Sequence, residues 1–190
     1  MKRKSIYIIG LVLAQMGCTN VDRLDTTEVK EEVESHKIKR VSPAQIMEQV
    51  EILGSQIAST LTKDFEKQMK DVSKARTEEI CQLKNMRVID SLTKKYDLTI
   101  RLLGQPDIGS NNSLYPKEKE VLEAYADNAM RKLPMSNNIQ PLDESLFVYT
   151  APIGADKGIG KLCFSDDSGF AIWSIVIKKS EVIKSIKPAK

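Results

Sequence analysis

Four side chains limit the chemistry open to this chain: Cys18, Cys81, Cys163 and His36, the only cysteines and the only histidine in 190 residues. His36 lies in a polar stretch ahead of the first patterned helix, so the patterned part of the chain holds no imidazole. That excludes from it a Ser/His/Asp or Cys/His nucleophile pair and any metal site built on several histidines. Two readings of Cys81 and Cys163 stay open. In an oxidising compartment unpaired thiols are uncommon and the two could join as a disulfide. Alternatively both are buried as small apolar side chains, as free cysteine often is.

Two further patterns read as turns. Gly154-Ala155-Asp156-Lys157-Gly158-Ile159-Gly160-Lys161 has the composition of a phosphate loop, but its first glycine is one place out of register and Leu162 stands where Ser or Thr would hold magnesium. The acidic pairs Asp143-Glu144 and Asp166-Asp167 lack calcium-loop spacing and read as solvated carboxylates. No metal-ligand set is assigned, and no residue is assigned a catalytic role.

Cys18 carries a different chemistry. Lys2, Arg3 and Lys4 precede an apolar run from Ile6 to Leu13, and Leu13-Ala14-Gln15-Met16-Gly17-Cys18 resembles a lipobox. The pattern predicts a signal peptide over residues 1–17 and acylation of Cys18 as the first mature residue. Several acyl chains hold a protein to a bilayer where one would not. The expected location is therefore the bacterial cell envelope, lipid-anchored, facing the periplasm or on the outer membrane. Residues 18–40 are polar and read as a flexible tether.

Cleavage would also change the charge. The precursor has 29 basic and 26 acidic residues, and three of the basic ones lie in the signal, leaving a formally neutral mature chain. No basic patch with interleaved aromatics follows, so nucleic acid is not an expected partner.

The remaining residues, 41–190, have the size of one domain. Ser42-Pro43-Ala44-Gln45 carries capping signals, and Ile46, Val50, Leu53, Ile57, Leu61, Phe65 and Met69 follow at helical spacing. A second helix is expected over Lys74 to Lys95, with Cys81, Val88, Leu92 and Tyr96 inward and a bend at Asn85. Leu98 to Leu103 reads as a strand, and the stretch from Gln105 to Tyr115 as a loop. A third helix runs from Pro116 through Val121, Leu122, Tyr125, Ala129 and Leu133 until Pro134 stops it. After a loop from Pro134 to Pro141, strands are expected at Leu146 to Ala151, Lys161 to Ser165 and Phe170 to Ile177. Connections this short favour antiparallel pairing. The expected fold class is α+β, with three main helices packed on one face of a small antiparallel sheet of C-terminal strands.

The order of these features resembles the exported haem domain of bacterial sensor kinases and stand-alone periplasmic c-type haem proteins. The residues that carry the resemblance are Glu79-Ile80-Cys81, Ile100-Arg101, Pro116 to Tyr125, Ala151-Pro152-Ile153 and Ile172-Trp173-Ser174-Ile175. The resemblance implies a PAS-like haem-domain architecture and a ligand pocket marked by Cys81, Arg101, Cys163 and Trp173. In the family a CxxCH motif bonds the haem and supplies an axial histidine, while the helix cysteine can supply the opposite ligand. Here Lys161-Leu162-Cys163-Phe164-Ser165 keeps at most the first cysteine and no histidine. Covalent haem is therefore not expected, and the vacated space must collapse, fill or take another ligand, with Phe164, Phe170 and Trp173 as fillers.

Three functions follow as expectations. The first is a non-catalytic envelope lipoprotein, a ligand-binding or sensory module for a small apolar ligand or another envelope protein. The second is a non-covalent haem protein for electron transfer or gas and redox sensing, with Cys81 as axial ligand. The third is a redox or structural role for a Cys81–Cys163 disulfide.

Overall fold

A computed structural model of the chain describes residues 41–70, 73–154, 158–164 and 170–186. The expected signal peptide, Cys18, the tether, His36 and Asp166-Asp167 lie outside the described residues.

Helix α1 (Pro43–Gln68) starts where its capping box stands: the Gln45 N–H donates to Ser42 Oγ at 3.2 Å, and the Ser42 N–H donates to Gln45 Oε1 at 2.9 Å. These bonds satisfy helix-end donors that would otherwise have no partner. The expected stripe from Ile46 to Phe65 is buried, joined by Gly54 and Ala58.

The second expected helix is two. Helix α2 (Lys74–Cys81) and helix α3 (Arg87–Tyr96) are separated by a reversal in which Leu83 (φ 58°) and Asn85 (φ 57°) are both left-handed. Asn tolerates that region; Leu does not, and its conformation must be held by its surroundings. The fully buried Ile80 and Met86 flank the reversal and anchor it.

Strand β1 (Thr99–Leu103) and the one-turn helix α4 (Asp107–Ser110) lead into helix α5 (Pro116–Met130). Helix α5 stops at Met130, ahead of the expected end: Lys132 turns left-handed (φ 57°), and Leu133 lies beyond the helix, 48% exposed. Five elements follow: β2 (Asn138–Pro141), β3 (Leu146–Ile153), the short helix α6 (Ile159–Phe164), β4 (Ala171–Lys178) and α7 (Lys179–Ser185).

The α+β class stands. Three details differ from the sequence reading. The strand expected from Lys161 is helical through Phe164, in the connection between β3 and β4, which pair with each other along eight residues. Strand β2 forms inside the expected loop, pairing with β3 from Asn138↔Thr150 to Pro141↔Phe147. Strand β1 is not an outlier before the sheet but one of its edges, since the order is β1-β4-β3-β2, antiparallel throughout.

Directly paired residues point to the same side of a sheet. Leu102, Trp173 and Ala151 therefore share one face, and Arg101, Ser174 and Thr150 the other. The first face packs under α1 with Tyr149, Ile153, Ile175 and Ile177 in the larger core. The second packs under α5, where Leu103 and Ile172 meet Leu122, Tyr125 and Ala126. Helices thus cover both faces of the sheet, not the one face expected.

Candidate functional site

On the α1 side the decisive contact is covalent. Cys81, the last residue of α2, is disulfide-bonded to Cys163 in α6, with Cα atoms 5.3 Å apart and a sequence separation of 82. Of the two readings left open by the sequence, the disulfide is the one found. Both cysteines pack against the larger core. A sulfur engaged in a disulfide is not a thiolate, and the thiolate is the form that binds metal or attacks a substrate.

Trp173 belongs to the same core. It is 1% exposed, its indole N–H donates to Thr62 Oγ1 at 2.9 Å, and Phe65 meets its ring edge-on with centroids 6.0 Å apart. A buried indole nitrogen needs such a partner, and Thr62 supplies it from α1. Phe164 and Phe170, expected as fillers, part company. Phe164 packs against the larger core and sits so close to Gly104 that a Cβ there would meet its ring at 2.4 Å, whereas Phe170 is buried in the α5-side core.

Tyr149 fills the middle of the α1 side. Its ring lies over Gly54, where a Cβ would come within 2.3 Å of it. Its hydroxyl is buried without a hydrogen bond, although the side chains of Ser55 and Asn137 lie beside it. Burial, reinforced by the Glu51 charge and opposed less strongly by Ser55 and Asn137, pushes the phenol up to about 12.

Arg101 is on the other side of the sheet. Its guanidinium donates to both carboxylate oxygens of Glu118, at 3.0 and 3.2 Å, and to the Ser113 carbonyl at 3.4 Å. Ser174 donates to Glu118 Oε1 at 2.6 Å and the Tyr115 N–H to Oε2 at 3.0 Å. The Glu118 side chain is 1% exposed, and a carboxylate so placed persists because its oxygens are occupied. Further along the same face, the Tyr125 hydroxyl donates to the Ser136 carbonyl at 2.7 Å and pairs with Thr150 Oγ1 at 3.1 Å. Burial raises the Tyr125 phenol, against a smaller lowering influence from Thr150.

The four residues that the resemblance groups together are thus not convergent. Cys81 and Cys163 are bonded to each other, Trp173 is sealed into the core, and Arg101 is across the sheet in a buried ion pair. Glu118 is the residue the sequence reading missed. Its spacing to Leu122 and Tyr125, four and seven residues on, places a carboxylate in the buried stripe of α5, and that was the available signal.

Two of the cavities among the described residues are lined by none of those four. One of about 300 Å³ lies where α1 ends, beside Arg76 and Asn85. Arg76 is occupied there, donating to Glu79 at 2.7 Å and Gln68 at 3.1 Å, and its hydrogen bond, helped by its charge, holds the Glu79 carboxyl below the usual carboxylate range. The other, about 310 Å³, is a groove between α5 and β2. Lys117, Val121, Ala124 and Asn128 line its helix side at helical spacing, and Pro134, Ser136, Asn138 and Gln140 line the opposite side at the two-residue period of an extended chain. Among the described residues no group of three or more acidic, cysteine or histidine side chains could hold a metal, and no helix is long and apolar enough to cross a membrane.

No family model, curated protein or solved structure matches the chain.

Proposed function

We propose that the chain is an exported lipoprotein, anchored through Cys18 in the bacterial cell envelope, whose folded domain is a non-catalytic binding or sensory module on a degenerate haem-domain scaffold. The observation that carries this reading is the Cys81–Cys163 disulfide. Disulfides persist in oxidising compartments, which fits export. The same bond engages the cysteine that would otherwise offer a thiolate to haem iron. Trp173, Phe65 and Phe164 then occupy core volume on the side where a porphyrin would have to lie. The sheet order, with the first strand hydrogen-bonded to the last, supports the PAS-like part of the resemblance.

The experiment has two readings. Full-length protein produced with added haem is expected to be colourless without a Soret band, and labelled palmitate is expected in the wild type but not in Cys18→Ser. A haem band that disappears in Cys81→Ser would favour the haem-binding alternative. A wild type that takes up no lipid would remove the anchor.

A further inference from the structure

We infer that the groove between α5 and β2 binds a neutral saccharide. This rests on the reading of the domain as a binding module and gives that module a ligand of different chemistry from the small apolar one the sequence suggested. The groove holds about 310 Å³, at the small end of ligand sites. Its charges cancel locally, because Lys117 pairs with Glu120 at one end. A charged ligand would meet no uncompensated partner there.

Hydrogen-bonding capacity remains inside it. The Asn128 carboxamide and the Ser136 hydroxyl make no hydrogen bond with any described side chain or backbone group, and both line the groove. Asn138 and Gln140 use only half of theirs: Gln140 Nε2 donates to Asn138 Oδ1 at 3.0 Å, which leaves the Asn138 amide donors and the Gln140 carbonyl oxygen. Donors and acceptors therefore alternate along one wall. That matches sugar hydroxyls, each of which both donates and accepts. Val121 and Ala124 supply an apolar strip against which the C–H face of a pyranose can lie. The walls are held from behind, since Tyr125 in α5 donates to the Ser136 carbonyl at 2.7 Å and fixes the distance between helix and strand. Walls held in this way confine the ordering cost of binding to the side chains themselves.

The test is calorimetric titration of the full chain in detergent with tri-N-acetylchitotriose, maltotriose and, as a peptide probe, N-acetyl-trialanine amide. One or both sugars are expected to bind with a dissociation constant of about 1 mM or tighter. Asn128→Ala with Gln140→Ala is expected to weaken that binding by about tenfold or more. Ala124→Trp, at an exposed helix position, is expected to block it while the thermal midpoint is unchanged. Heat from the peptide alone would overturn the saccharide and leave a binding module of another kind. No heat from any probe, or sugar binding indifferent to all three substitutions, would also overturn it. None of these outcomes depends on the anchor, which palmitate incorporation reads separately.

Discussion

The two faces of the sheet are built on opposite principles. Under α1 the side chains are apolar and closely fitted, with Tyr149, Trp173 and Phe65 filling the space and the Cys81–Cys163 bond tying α2 to α6. Under α5 the core is smaller and carries a buried carboxylate, a guanidinium and three hydroxyls in hydrogen bonds. The face that carries Trp173 is thus filled by packed side chains and tied by a covalent bond. The polar face keeps unspent hydrogen-bonding groups beside an open groove. Capacity to bind has a better foundation on the α5 side than at the residues inherited from the resemblance.

Breaking the covalent tie should have the largest effect. Cys81→Ser with Cys163→Ser releases a long loop and is expected to cost about 4 kcal/mol, read by urea unfolding without reductant. If stability were unchanged, the α1 side would owe nothing to its bond. On the α5 side, Glu118→Ala strips Arg101 and Ser174 of their acceptor and is expected to cost about 3 kcal/mol. Glu118→Gln, which keeps an acceptor oxygen, should lose less. Equal losses would show that the carboxylate charge, which Gln and Ala both lack, decides there and not volume.

Packing under α1 can be probed without touching a polar group. Gly54→Ala drives a Cβ into the Tyr149 ring and is expected to cost about 2 kcal/mol, with a lowered thermal midpoint. The smallest effect is expected from Tyr149→Phe, within about 1 kcal/mol near neutrality, because the lost hydroxyl has no hydrogen bond. Its signature lies in alkali. The folded phenol titrates at about 12, above an ordinary value of 10.0, so its contribution is complete below pH 10 and is lost as pH rises through 12. The wild type should lose on the order of 2 kcal/mol across that window from this group, and the variant should not.

The sequence disclosed whatever depended on local pattern. The Ser42 capping box, the α1 stripe, the bend at Asn85 and the central strands were legible because each is set by residues within a few positions. Pairing was less legible. Strand β2 has weak strand composition and exists because β3 offers it an edge, while the run from Ile159 is a short helix in the connection between the paired β3 and β4. The division of Trp173 and Arg101 between two faces follows from strand register, which alternation alone could assign only after the partners were known. The groove was hidden for the same reason: α5 and β2 become neighbours only through the tertiary fold.

The central claim is that the sulfur of Cys81 is spent on Cys163, which closes the apolar side of the sheet to an iron ligand. Thiol titration of the denatured chain before and after reduction tests it directly. With Cys18 acylated, no reactive thiol is expected before reduction and two are expected after. Two thiols already reactive in the unreduced chain would contradict the account.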